Sequence, residues 1–193
     1  MLALTLGSSL VGQLEAHDTV KHRLVGNTWV RFTYRSFSGA GYERFLHDPN
    51  ILDEVLSCRP DVVYTILGAN SISKRSTKEG LWRNCRRFHE LLRDKLDRVN
   101  PEARIIACQL PMRYVYNGRH QTPRPKQFKV LRDHVNKKLK WCPQVDHLLL
   151  TAGKNKLDAR RYYKHDGVHF SKAALRFQLN SLVAQLHWIL NLG

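Results

Sequence analysis

The strongest constraint in this chain is a repeated alternation. Five short apolar runs each lead through a turn into an amphipathic helix, within 193 residues. Asp61–Leu67 is the clearest run, bounded by Arg59-Pro60 before it and Gly68 after it, the pattern of a strand buried on both faces. Leu2–Leu6, Trp29–Phe37, Arg104–Leu110 and Val145–Leu150 read as the other strands. Leu10, Val11 and Leu14 begin a short first helix. Asp48-Pro49 opens a second, with Ile51, Leu52, Val55 and Leu56 on one face. Residues 76–99 form a long third helix; Phe128, Leu131, Val135 and Leu139 mark the fourth; Leu175, Leu179, Leu182 and Leu186 mark the last. Residues 19–28 read as a loop. This order implies an α/β fold with a five-stranded parallel sheet, helices on both faces and right-handed crossovers. No repeat, low-complexity tract or linker divides the chain, so residues 1–193 read as a single domain.

In such a sheet the strand C-termini share one edge, where α/β folds bind ligands. Four turns carry chemistry there. Gly7-Ser8-Ser9 puts the Ser9 hydroxyl near a helix N-terminus, where developing negative charge is stabilised; the same place suits an N-cap serine. Ser38-Gly39-Ala40-Gly41 allows unusual backbone angles and close approach of an N–H to a ligand, or forms a simple turn. Gly68-Ala69-Asn70-Ser71 sets a side-chain amide directly after the central strand. Near the end, Asp166 and His169 stand three residues apart. A carboxylate that accepts a hydrogen bond from one ring nitrogen fixes the tautomer and leaves the other nitrogen as a base. The plainer role for Asp166 is to cap the final helix.

Taken in order, these blocks resemble those of the SGNH hydrolases, the GDSL esterase/lipase superfamily. Gly7-Ser8-Ser9-Leu10 resembles the family's Gly-Asp-Ser-Leu; Ser38-Gly39-Ala40 its second block; Gly68-Ala69-Asn70-Ser71 its Gly-x-Asn-Asp; and Asp166-Gly167-Val168-His169 its Asp-x-x-His. The resemblance spans the whole chain and implies a three-layer α/β/α, flavodoxin-like fold with strand order 2-1-3-4-5. It implies a serine esterase or acyl hydrolase acting on a small ester, with no metal and no cofactor. Ser9 would be the nucleophile, His169 the acid–base and Asp166 its orienting partner. The N–H groups of Ser9 and Gly39 and the amide of Asn70 would form the oxyanion hole. Two positions depart from the family pattern: Ser8 and Ser71 each stand where it has Asp. Ser8 is a one-residue alternative nucleophile. The chain has no Gly-x-Ser-x-Gly elbow, which argues against an ordinary α/β-hydrolase.

Charge suggests a second function. The net charge is +16, and residues 71–140 hold 19 Lys/Arg against 6 Asp/Glu. Such a field favours polyanions, so nucleic acid is a candidate partner for that segment; esterase-like domains of the resembled superfamily also occur in some retrotransposon proteins. Arg113, Tyr114, Tyr116, Arg119, His120 and Arg124 interleave cations with aromatics, which suits stacking and phosphate pairing. A family member with neither activity is the third reading. Four separated cysteines with no Cys-x-x-Cys pair point to a reducing compartment, with Cys58 and Cys108 as core residues. The Met1–Leu6 run lacks the flanks of a signal peptide, and no run is long enough to span a bilayer. The protein is expected to be soluble and intracellular, either cytoplasmic or nuclear. No feature sets an oligomeric state.

Overall fold

A computed structural model describes residues 1–112, 123–149, 159–164 and 169–191. Six strands form one sheet: β1 (Leu2–Gly7), β2 (His22–Val25), β3 (Thr28–Ser36), β4 (Val62–Ile66), β5 (Arg104–Cys108) and β6 (His147–Leu149), in the order β2-β3-β1-β4-β5-β6. Five of them, from β3 to β6, run parallel. Taken alone they have the expected 2-1-3-4-5 order. The helices are α1 (Ser9–His17), α2 (Tyr42–His47), α3 (Asn50–Leu56), α4 (Lys78–Val99), α5 (Pro125–Leu139), α6 (Ala159–Tyr162) and α7 (Lys172–Leu190).

The sheet corrects the five-stranded expectation by one strand. β2 lies antiparallel to β3 within the segment read as a loop. A two-residue turn, Gly26-Asn27, joins the pair, with Gly26 at φ +58°. Only Val25 of β2 is buried, so the strand carries almost no apolar signal. Polar contacts pin it instead. Asp18 is buried, accepts the Tyr34 hydroxyl at 2.5 Å and pairs with Arg23 of β2. Burial and the neighbouring Asp18 carboxylate push the Tyr34 phenol well above its ordinary pKa. Two further short helices, α2 and α6, lie in segments to which the sequence reading assigned no helix. Cys58 is a second correction: it sits exposed in the turn after α3, whereas Cys85, Cys108 and Cys142 are buried.

β4 is buried at every position, as a strand covered on both faces must be. α1 packs against α7, while α4 packs against α2, α3 and α5. From β1 the chain winds one way through α1 to β3; from β4 it winds the other way through α4 to β5. Right-handed crossovers in opposite directions place these helices on opposite faces. The direction reverses between β1 and β4, which are neighbours. That switch point opens a crevice at the strand C-termini. Register levels the strand ends there: Gly7 of β1 pairs with Ser36 of β3 on one side and Ile66 of β4 on the other. The turns carrying Ser9, Gly39 and Asn70 therefore leave three adjacent strands at one height.

Candidate active site

Gly7 ends β1 where no side chain fits. A Cβ there would lie 2.4 Å from the Ile66 carbonyl oxygen and 2.7 Å from Val11 Cγ2. Ser8 is buried and takes the N-cap place of α1, although its hydroxyl makes no capping bond. Ser9 is the first residue inside the helix and is half-buried, so the N-cap role considered for it falls to its neighbour. The turn is tied to β3 and the residue after it: Phe37 N–H donates to Gly7 O at 2.8 Å and the Ser36 hydroxyl to Ser8 O at 3.1 Å.

Gly39 has φ +70°, and nothing lies within 4 Å of the place a Cβ would occupy. The backbone angle, not crowding, calls for glycine here. The following residue receives Asn70: its Nδ2 donates to the Ala40 carbonyl at 3.1 Å and fixes the plane of the amide. Asn70 sits in a 3-10 turn, Ala69–Ser71, after Gly68 at φ +96°. A Cβ on Gly68 would strike the Tyr42 hydroxyl at 2.5 Å and its ring at 2.7 Å.

Ser71 is built into the same support. Its hydroxyl accepts the Tyr42 N–H at 2.9 Å and donates to Glu43 Oε2 at 2.6 Å. Asn84 of α4 donates to the other Glu43 oxygen at 3.1 Å. Beneath this block, His89 is fully buried beside Tyr42 and Phe88. Its Nδ1 lies 2.8 Å from the Cys85 carbonyl, which only accepts, so Nδ1 carries the proton; Nε2 then accepts from the Thr65 hydroxyl at 3.3 Å. Burial drives the His89 pKa down to about 4, and it stays neutral at physiological pH.

His169 is half-buried, and its carbonyl accepts the Lys164 N–H at 2.8 Å. The next residue binds the helix that begins at Ser9: Phe170 N–H donates to Gln13 Oε1 at 3.2 Å. Gln13 lies one helical turn after Ser9, on the same face of α1. The phenyl ring of Phe170 is buried edge-on against Tyr163. α7 is capped by Ser171, whose hydroxyl accepts the Ala174 N–H at 3.2 Å, so the capping role weighed for Asp166 belongs to another residue. Asp166 itself lies outside the described residues, as do Arg113, Tyr114, Tyr116, Arg119 and His120. Where the chain leaves β5 toward that aromatic loop, buried Asn136 accepts Leu110 N–H at 2.8 Å and donates to its carbonyl at 3.3 Å. Gln13, Glu43 and Asn84 were invisible to motif reading. Only the helical spacing of Gln13 from Ser9 was available in the sequence. Among the described residues no group of three or more His, Cys, Asp or Glu side chains could hold a metal ion.

No family model and no curated protein matches the sequence. Solved structures do match the fold. A GDSL-like lipase from Bacteroides thetaiotaomicron aligns with 96% of this chain and 86% of its own, at TM-score 0.66 and 15% identity. An acetyl xylan esterase aligns over 96% and 99%, at TM-score 0.63 and 14% identity. A lipase/acylhydrolase from Enterococcus faecalis aligns over 97% and 96%, at TM-score 0.57 and 18% identity. The chain has the GDSL, or SGNH, hydrolase fold: a mostly parallel six-stranded sheet flanked by helices. Among the described residues no helix is long and apolar enough to cross a membrane.

Proposed function

We propose that this protein is a serine esterase or acyl hydrolase that cleaves a carboxylic ester through an acyl-enzyme. The observation that carries the reading is the Gln13–Phe170 bond, which ties the residue beside His169 to the helix that begins at Ser9. The level strand ends and the Asn70–Ala40 bond support the oxyanion assignment. Ser9 Oγ attacks the carbonyl carbon as its proton passes to His169, whose imidazole Asp166 orients. The oxyanion rests against the N–H groups of Ser9 and Gly39 and the amide of Asn70, donors of a kind that contribute about 10²–10³ each in rate. Collapse expels the alcohol, which takes the proton from His169 and leaves Ser9 acylated. Water, deprotonated by His169, then releases the acid and restores Ser9.

Short- and long-chain p-nitrophenyl esters test this beside Ser9→Ala and His169→Ala. Each variant should lose at least about 10³-fold in kcat. Full activity in Ser9→Ala would overturn the assignment, and Ser8→Ala would then test the neighbouring hydroxyl.

A polyanion-binding role has its own support. α4 and α5 pack together and carry most of the exposed cations of residues 71–140. Trp141 follows α5 at 81% exposure, close in sequence to exposed Lys137, Lys138 and Lys140. This surface should bind single-stranded nucleic acid with an affinity that falls steeply with salt; salt-independent or absent binding would remove it.

A further inference from the structure

A cleft of about 210 Å³ lies beside the turn that carries Asn70. Ser71 forms one wall, in the same 3-10 turn as Asn70. Glu43 forms another, on the helix that starts just after Ala40-Gly41. Arg75, from the loop before α4, and Arg83, from α4 itself, complete it. Gly80 also faces the cleft, between the N-cap Thr77 and Leu81 of α4, and adds no side chain to fill it.

The charges in the cleft are not balanced. Both oxygens of Glu43 are engaged by neutral donors, Ser71 at 2.6 Å and Asn84 at 3.1 Å. Neither guanidinium makes an ion pair or side-chain hydrogen bond with any described residue. Two forked cations face one carboxylate that is held by other groups. Both arginines are exposed, so their forks are open to solvent, whereas the partly buried Arg23 and Arg93 are paired, Arg23 with Asp18 and Arg93 with Asp97 and Asp146. An arginine fork has the shape to receive carboxylate or phosphate oxygens in pairs.

We propose that this cleft is an anion subsite, and that the ester taken at Ser9 carries a carboxylate or phosphate group that reaches Arg75 and Arg83. The proposal rests on the esterase reading for the word ester, while the cleft can be tested apart from it. The anion is held in place while the neutral carbonyl lies over Asn70. Charge on the substrate then positions the ester and is not itself neutralised in the reaction. Glu43 disfavours anions that penetrate too deeply toward Ser71, which confines recognition to the arginine rim.

Two experiments decide it. The first compares kcat/KM for p-nitrophenyl hydrogen glutarate, p-nitrophenyl 4-phosphonobutyrate and p-nitrophenyl methyl glutarate, with 4-acetoxybenzoate against phenyl acetate for charge on the alcohol side. At least one charged ester should exceed its neutral counterpart by about twofold to fivefold, the worth of an ion pair between exposed groups. That preference should vanish in Arg75→Gln/Arg83→Gln and shrink with salt, while the neutral esters react as before. The carboxylate and phosphonate arms tell the two anion classes apart. Equal rates for charged and neutral esters, or a preference that survives in the double variant, would overturn the proposal. The second titrates inorganic phosphate and glutarate into the intact protein and follows amide signals by NMR. Saturable shifts that disappear in the double variant support the cleft even if no ester is turned over, an outcome that would defeat only the esterase reading. No saturable shift, or one unchanged in the double variant, overturns the anion subsite itself.

Discussion

Acid should weaken this fold through one side chain, His89. It is buried in α4 as a neutral imidazole that donates to the Cys85 carbonyl and accepts from Thr65. Burial lowers its pKa from 6.5 to about 4. Between those values the unfolded chain binds a proton that the folded chain does not, so stability falls as pH falls through that window and is fully retained above it. The gap corresponds to about 3 kcal/mol once pH is below 4, and to about half of that at pH 5.5. Its neighbours do not blur the effect: burial raises Tyr42 well above its usual range and pushes Cys85 up to about 12, so both stay neutral throughout. Urea denaturation at pH 7.5, 5.5 and 4 would be run on the wild type and on His89→Gln, which keeps polar atoms without a titrating ring. Carboxylate titration is common to both proteins and cancels in the difference. The wild type should lose about 3 kcal/mol more than the variant across the window, whatever the variant's starting stability. Parallel profiles would refute the reasoning and mean that His89 is hydrated or charged in the folded state.

Two other perturbations read the site itself. Gln13→Ala removes the acceptor for the Phe170 N–H; kcat on an aryl ester should fall by roughly ten- to a hundredfold, as expected for a displacement near 1 Å, with KM and circular dichroism little changed. Ser71→Asp would restore the residue common in the resembled motif, yet it sets a second carboxylate beside Glu43. The variant should melt lower than wild type, and adding Glu43→Gln should recover most of the loss.

Legibility in the sequence followed how strongly each element depends on apolar burial. β4 is buried throughout and was plain from Val62-Val63-Tyr64 onward. The long α4 was equally clear, because Leu81, Cys85, Phe88, Leu92 and Leu96 recur on one face. β2 was missed because it buries only Val25 and is held by Asp18 through Tyr34 and Arg23, and polar pairs at such spacings have no periodic signature. Its one local clue was the Gly26-Asn27 turn. Cys58 was misplaced because a helical run of apolar residues was extended past Leu56, where the chain has already turned toward solvent. Of the candidate site residues, Ser9, Gly39 and Asn70 each follow a strand end, and register sets those ends level. Gln13 and Glu43 act on residues far away in sequence, at separations of 157 and 28, and no short motif contains such pairs.

The two departures from the resembled motifs differ in what surrounds them. Ser71 is not a plain loss of a carboxylate, because Glu43 brings one to within 2.6 Å of its hydroxyl from another helix. That hydroxyl accepts the Tyr42 N–H while it donates to Glu43, a pairing of roles that an ionised Asp, an acceptor only, cannot fill. The support of Asn70 is thus divided between two residues, and either half alone departs from the motif. At Ser8 no such partner exists among the described residues, and the turn is held through backbone oxygens instead, Gly7 O by Phe37 and Ser8 O by Ser36. A fold can therefore persist at 13–18% identity to its structural neighbours while its motif letters change. What must be kept is a carboxylate or carbonyl at the right place, and the chain can supply it from more than one position.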